Sequence, residues 1–216
     1  MEKKTRLSRT GTIGPVKGAL QPGPGFFIWL IYLSCMLTLS GCELVRKEPL
    51  PLLGSLDIPY TFTDQLGDPV NQELFSGKVY VADFFFTTCP TICPIMKTQM
   101  LRIYQKFEDN DQLLLLSHTI DPEHDTVAVL NDFASRLGVS AERWHLVTGD
   151  KQQIYDTAKR YGLAAMEDEN APGGFIHSGS FTLVDRQGRI RGYYRGTEED
   201  AVDRLMQDIG RLLDEP

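Results

Sequence analysis

Two cysteines, Cys89 and Cys93, lie in the run Phe86-Thr87-Thr88-Cys89-Pro90-Thr91-Ile92-Cys93-Pro94. A separation of four positions on the first turn of a helix brings both sulfurs to one face. From there they can close a disulfide or hold a soft metal together. Unpaired N–H groups at a helix N-terminus favour the thiolate, whose free pKa is about 8.5. Pro90 suits the start of such a turn because its missing N–H would have no partner there. Three residues between the cysteines, where dithiol oxidoreductases usually have two, leave space for a third ligand. Copper(I) prefers thiolates with imidazole, so the third ligand is sought among the four histidines. His177 is the candidate: it heads the apolar stretch from Phe175 to Val184, after a polar loop from Glu167 to Gly174. His118 interrupts an apolar strand and reads as a hydrogen-bonded strand-end residue. His124 lies in a polar turn before a helix, and His145 follows Trp144; solvent or packing roles suffice for both. Met96 and Met100 are soft donors, but their helical spacing assigns them to the core.

These residues need elements to hold them. Val79 to Phe86 is a nearly continuous apolar run, the pattern of a strand covered on both faces. It leads into the cysteines, and Ile95 to Phe107 then repeats apolar residues at helical spacing. Gln112 to Ile120, with four consecutive leucines, is a second buried strand. Thr126 to Leu137 is a helix and Trp144 to Thr148 a short strand. Asp150 caps a helix carrying Ile154, Tyr155, Ala158 and Tyr161. Phe175 to Val184 and Arg189 to Tyr194 form a hairpin, with Gly188 at a left-handed turn position. Thr197 to Asp200 opens a last helix in the manner of a capping box. Asp83, inside the first strand, reads either as a buried acid tuning the thiols or as an outward-facing residue, and the cost of burying a carboxylate favours the outward face. The order βαβαβαββα predicts an α/β domain with a central mixed β-sheet flanked by helices. A strand that runs into a cysteine motif and then a helix is the thioredoxin-like arrangement. There the strand of His177 borders the cysteine loop, where thioredoxins usually place a cis-proline. No proline stands between Gly173 and Arg186, which weakens a disulfide-exchange role.

The first 41 residues read as an address. Lys3, Lys4, Arg6, Arg9 and Lys17 precede an apolar run from Phe26 to Leu39 that ends in Leu39-Ser40-Gly41-Cys42. That is a basic region, a short apolar core and small residues, the pattern of an export signal; the core is shorter than the roughly 20 residues of a membrane span. The ending resembles a bacterial lipobox, which makes Cys42 the lipidated new N-terminus. Residues 42–55, with Pro49 and Pro51, read as a tether and residues 56–216 as the domain. The whole chain of 216 residues carries 22 basic and 29 acidic side chains, a net charge of -7. Removing five basic residues and one acid with the signal leaves 17 and 28, or -11. Such a balance argues against a nucleic-acid partner. A mean hydropathy of -0.21 excludes a polytopic membrane protein.

Three segments resemble the Sco/SenC family of copper-binding, thioredoxin-like assembly factors for cytochrome c oxidase. They are Phe86 to Pro94, Ile120 to Thr126 and His177 to Asp185, and the similarity extends over most of residues 56–213. The resemblance implies that Cys89, Cys93 and His177 bind copper, as Cu(I) or Cu(II). It implies copper delivery to, or thiol maintenance at, the dinuclear copper site of the oxidase's copper-bearing subunit. A thiol reductant and another copper carrier are the further partners it suggests. Asp121 and Asp125 match acidic positions of the family pattern and read as turn and N-cap residues. One departure is Glu43 after the lipobox cysteine, which does not match the usual inner-membrane retention pattern. The protein is expected in the cell envelope, anchored to a membrane. The alternatives are an extracytoplasmic thiol–disulfide reductase and a redox or copper sensor. A peroxidase is disfavoured, since Arg102 is too remote to serve Cys89.

Overall fold

Strands that are apolar on both faces have to be covered on both faces. The computed structural model, which describes residues 48–56 and 59–215, sets three such strands side by side at the middle of its main sheet. In chain order the strands are β1 (Gly54–Ser55), β2 (Thr61–Asp64), β3 (Pro69–Asn71), β4 (Val79–Phe85), β5 (Leu113–Thr119), β6 (Trp144–Thr148), β7 (Ala165–Glu167), β8 (Phe175–His177), β9 (Ser180–Val184) and β10 (Arg189–Arg195). The helices are α1 (Ile92–Lys106), α2 (Val127–Leu137), α3 (Lys151–Arg160) and α4 (Glu199–Asp214). The main sheet has the order β1-β10-β9-β4-β5-β6-β2-β3, and β7 pairs with β8 in a separate hairpin. β4, β5 and β6 run parallel, whereas β9, β10 and the other neighbours are antiparallel. Every residue of β4, β5 and β6 is buried. The mixed α/β sheet expected from the sequence is therefore present.

Local chemistry explains the boundaries. Thr126 caps α2 by accepting from the Val129 N–H at 3.4 Å, and Gly138 ends it in the left-handed region at φ 70°. Asp150 caps α3 through the Gln153 N–H at 2.8 Å. The β9–β10 turn has Gly188 at φ 72°, as the turn requires.

Several expectations are corrected. α1 begins at Ile92, before Ile95, because Pro94 in its first turn gives up an N–H that no carbonyl would accept. The N-cap of α4 is Glu198, without a side-chain cap bond, while Glu199 and Asp200 place charge in its first turn; the capping box at Thr197 does not form. The predicted order also omitted β1, β2, β3 and β7, which are too short for a clear period. Within the segment expected as a tether, residues from Pro49 on fall in the same compact unit as the sheet. Leu50 is buried, and the N–H groups of Leu53 and Leu56 donate to the carbonyls of Ile190 and Gly188. The signal, Cys42 and the start of the tether lie outside the described residues. No described helix is long and apolar enough to cross a membrane.

Candidate metal centre

α1 turns one face into the core: Cys93, Met96, Lys97, Met100 and Ile103 are its buried residues. This spacing follows the helical repeat and fixes Cys93 on the inner side of the first turn. Cys89 is not on the helix, contrary to the shared-face expectation. It lies in the turn that leaves β4, where its N–H donates to the Phe86 carbonyl at 3.3 Å. Both cysteines are free and buried.

The third group arrives on a different element. The chain breaks at Ser178-Gly179, between β8 and β9, so the single strand expected from Phe175 to Val184 is two. β8 leaves the main sheet to pair with β7, His177 standing opposite Ala165. The expected loop from Glu167 to Gly174 is the end of this hairpin. Its tip packs on the cysteine turn: Phe175 lies 5.1 Å from the Phe86 ring. Gly173 has φ +82° and approaches Phe86 so closely that a Cβ would stand 2.8 Å from Cε2.

Cys93 Sγ is 3.0 Å from His177 Nε2, and Cys89 Sγ is 4.0 Å from the same nitrogen. All three donor atoms lie within 4.8 Å of one another, and no other group of three or more His, Cys, Asp or Glu side chains converges in this way among the described residues. His177 Nδ1 lies 3.2 Å from the Ser178 carbonyl. That acceptor fixes the proton on Nδ1 and leaves the Nε2 lone pair facing the sulfurs. Burial, partly opposed by this hydrogen bond, holds the imidazole below its usual pKa, so it is neutral and able to ligate.

The two thiols differ. Burial pushes the Cys89 thiol up, but hydrogen bonds from the N–H groups of Thr91 and Cys93 and from the Cys93 and Thr91 side chains outweigh it, and the net shift is downward. Burial dominates at Cys93 and pushes its thiol well above the usual range. The 3.0 Å contact is then a thiol donating to imidazole. Thiolate and imidazole bonds to a metal of about 2.3 and 2.0 Å separate trigonal donors by roughly 3.7 Å. The observed 4.0 and 3.0 Å bracket that value, so a metal in place of the proton requires only sub-ångström adjustment. The donor set fits a soft metal.

The other acids and histidines hold the scaffold. Asp125 is not the N-cap of α2; Thr126 is. Its buried carboxylate accepts from the Thr87 N–H at 3.0 Å, from the Thr119 hydroxyl at 2.5 Å and, at very short range, from the Thr87 hydroxyl. It thereby ties the cysteine turn to the end of β5. Asp121 is a turn residue, accepting from the His124 N–H at 3.4 Å. His124 is exposed and contacts Asp125. His145 is buried and paired with Asp64 at 3.3 Å. His118 is fully buried inside β5, stacked on Phe84 at 4.6 Å, and its Nε2 has no partner. Met96 and Met100 are core residues.

Asp83 is the clearest correction. It is fully buried and bonded to Lys97 Nζ at 2.9 Å. Sequence reasoning assigned it outward because it overlooked the partner that offsets its burial. Lys97 was missed altogether; its place on the Cys93-Met96-Met100 face of α1 was the available signal.

The model of the SCO1/SenC family matches residues 52–214. The chain belongs to the SCO1/SenC family. Among curated relatives, the SCO1 protein homolog of Bacillus subtilis is 33% identical over 153 residues, covering 70% of this chain and 79% of that protein. A SCO1/SenC family lipoprotein from Bacillus anthracis has a similar structure, with a TM-score of 0.69, 30% identity and coverage of 78% and 99%. BsSco, a member of the Sco family of cytochrome c oxidase assembly proteins that was solved in connection with a disulfide switch, gives a TM-score of 0.68 at 29% identity, covering 78% and 100%. Copper-bound ScoI of Arabidopsis thaliana shares the fold at 22% identity, with a TM-score of 0.60 and coverage of 71% and 98%. The thioredoxin-like fold expected from the sequence is that of this family.

Proposed function

We propose that this chain is a copper carrier that loads the dinuclear copper site of cytochrome c oxidase. The observation that carries the reading is the convergence of two reduced thiols on the Nε2 of a histidine whose Nδ1 is already committed. Zinc, the other metal of thiolate–imidazole sets, takes four ligands in closed structural sites. Among the described residues no fourth His, Cys, Asp or Glu joins the three, and a three-donor soft site suits copper(I). Two thiolates with copper(I) carry a net charge of -1, and with copper(II) zero. The oxidase as client is supported by the family and by the assembly role in the name of the BsSco neighbour. In the same reading residues 1–41 export the chain and Cys42 carries the lipid that holds it on the outer side of a membrane, as the lipoprotein neighbour supports.

The test is metal analysis and absorption spectroscopy of the reduced protein loaded with copper(I). One copper per chain is expected, lost in Cys89→Ser, Cys93→Ser and His177→Ala. Wild-type loading no better than that of Cys89→Ser overturns the reading.

The unequal thiols favour a second reading, a thiol–disulfide reductase. The Cys89 thiolate attacks a client disulfide, forming a mixed disulfide and releasing one client thiolate; Cys93, giving up its proton, then displaces the second client thiol to leave a Cys89–Cys93 disulfide, which an external dithiol must reduce. His177→Ala separates the two: a reductase keeps its exchange activity and its role in the cell, whereas a carrier loses that role along with its copper.

A further inference from the structure

Lys97 and Asp83 form an ion pair in the protein interior, with side chains 4% and 0% exposed. Lys97 Nζ donates to Asp83 Oδ2 at 2.9 Å, to Oδ1 at 3.3 Å and to Ser117 Oγ at 2.9 Å. Ser117 in turn donates to Asp83 Oδ1 at 2.5 Å and accepts from Trp144 Nε1 at 2.9 Å. The ammonium also lies 3.8 Å from the centre of the Phe85 ring. Each polar group has a partner, so the network is stable, but its presence is not explained by stability. Replacing a buried ion pair with apolar residues of similar volume is often neutral or stabilising.

Its position supplies another reason. Lys97 stands one helical turn after Cys93 on the same buried face of α1. Cys89, Cys93 and Lys97 share the wall of one cavity of about 240 Å³, whose other lining residues include Phe86, Leu101 and Phe133. Lys97 makes no hydrogen bond to a donor atom of the centre, but its ammonium lies behind the same buried face and cavity wall as the two sulfurs, where solvent screens a charge little.

We propose that Lys97, held in place by Asp83 and Ser117, is the internal counter-cation of the Cys89–Cys93–His177 centre, favouring its anionic copper(I) form and the reduced cysteines, with their thiolate, over the disulfide. Lys97 is a positioning residue and not a ligand. Asp83 fixes the ammonium and partly offsets its charge, so the two residues have opposite electrostatic effects on the centre. The copper part rests on the carrier reading above; the thiol part does not.

The test uses the full chain and three variants: Lys97→Met, Asp83→Asn and the double variant. Far-UV and near-UV circular dichroism establish folding, and the double variant, with neither charge left unpaired, guards against loss of the fold in a single variant. Two quantities are read. The first is copper(I) affinity by competition with a chromogenic chelator. The second is the midpoint potential of the Cys89–Cys93 couple in a glutathione buffer without copper. Lys97→Met should weaken copper by about 10–100-fold, the usual range for residues supporting metal ligands. It should also move the potential to a more negative value, by about 30 mV for each tenfold change in the two-electron equilibrium. Asp83→Asn should shift both quantities the other way, and the double variant should fall between the singles. Changes of the same sign in both singles, or a double variant indistinguishable from wild type alongside unchanged singles, overturn the proposal. Failure of the wild type to bind copper would overturn the carrier reading alone, because the potential still decides the role of Lys97.

Discussion

Asp125 should be the most sensitive position outside the centre itself. Its carboxylate is fully buried and gathers the Thr87 N–H, the Thr87 hydroxyl and the Thr119 hydroxyl. A hydrogen bond to a charged group contributes about 1.5–3 kcal/mol, and a buried donor left without a partner costs about 1–3 kcal/mol. The Thr87 N–H cannot rotate to another acceptor, whereas the two hydroxyls can. Asp125→Ala should therefore cost about 3 kcal/mol, less than the sum of three bonds. Asp125→Asn, which keeps one acceptor oxygen, should cost about half as much. With a urea m-value of about 2 kcal/mol/M, the alanine variant should unfold about 1.5 M earlier. Thr87 stands two positions before Cys89, so copper affinity should also fall, by about tenfold. Stoichiometry at saturating copper should stay at one, because Asp125 is not a donor. A midpoint within about 0.3 M of wild type would refute the clamp. A folded variant that saturates below one copper would refute its exclusion from the ligand set.

His118 gives a pH signature. Burial lowers its pKa from 6.5 to about 4, so the folded protein binds fewer protons than the unfolded chain between those values. Stability should be full above about pH 6.5 and fall by about 3 kcal/mol toward pH 4; denaturation at several pH values should show this, and His118→Phe should flatten it. Gly173→Ala places a methyl group 2.8 Å from Phe86 at a backbone φ of +82°. It should cost about 1–3 kcal/mol in thermal or urea unfolding and weaken copper binding by moving the hairpin tip off the cysteine turn.

Much of the fold was legible because its central elements are long and strongly patterned. β4 and β5 announce burial through nearly continuous apolar runs, and Asp150 and Gly188 have side chains or backbone freedom that suit one local role. The convergence of Cys89, Cys93 and His177 was legible for a different reason: two cysteines and one well-placed histidine leave few alternatives. What escaped depends on tertiary partners. Asp83 looks expensive to bury until Lys97, fourteen positions on, is known to meet it. Asp125 stands beside the true cap, and only the folded chain shows its carboxylate turned toward Thr87 and Thr119. The break at Ser178-Gly179 is equally silent, since two polar or small residues inside an apolar stretch are compatible with one continuous strand. Cys89 was misplaced because Cys89 and Cys93 invite a shared helical face, whereas a turn brings Cys89 to the same place.

The sulfurs and the imbalance between them belong to the β4–α1 junction, but the imidazole comes from a hairpin outside the main sheet, 84 positions away along the chain from Cys93. An ion bridging them is a removable cross-link that closes a long loop. Its grip on the ion is therefore inseparable from the cost of keeping the hairpin docked, which grows only slowly with loop length. Anything that peels back this short two-stranded flap removes one donor while leaving both sulfurs in place. Cargo can then be handed over stepwise, one bond at a time, without disturbing the sheet. In hydrogen-exchange terms, the amides of residues 165–177 should report whether the cross-link is made, while those of β4 and β5 stay silent.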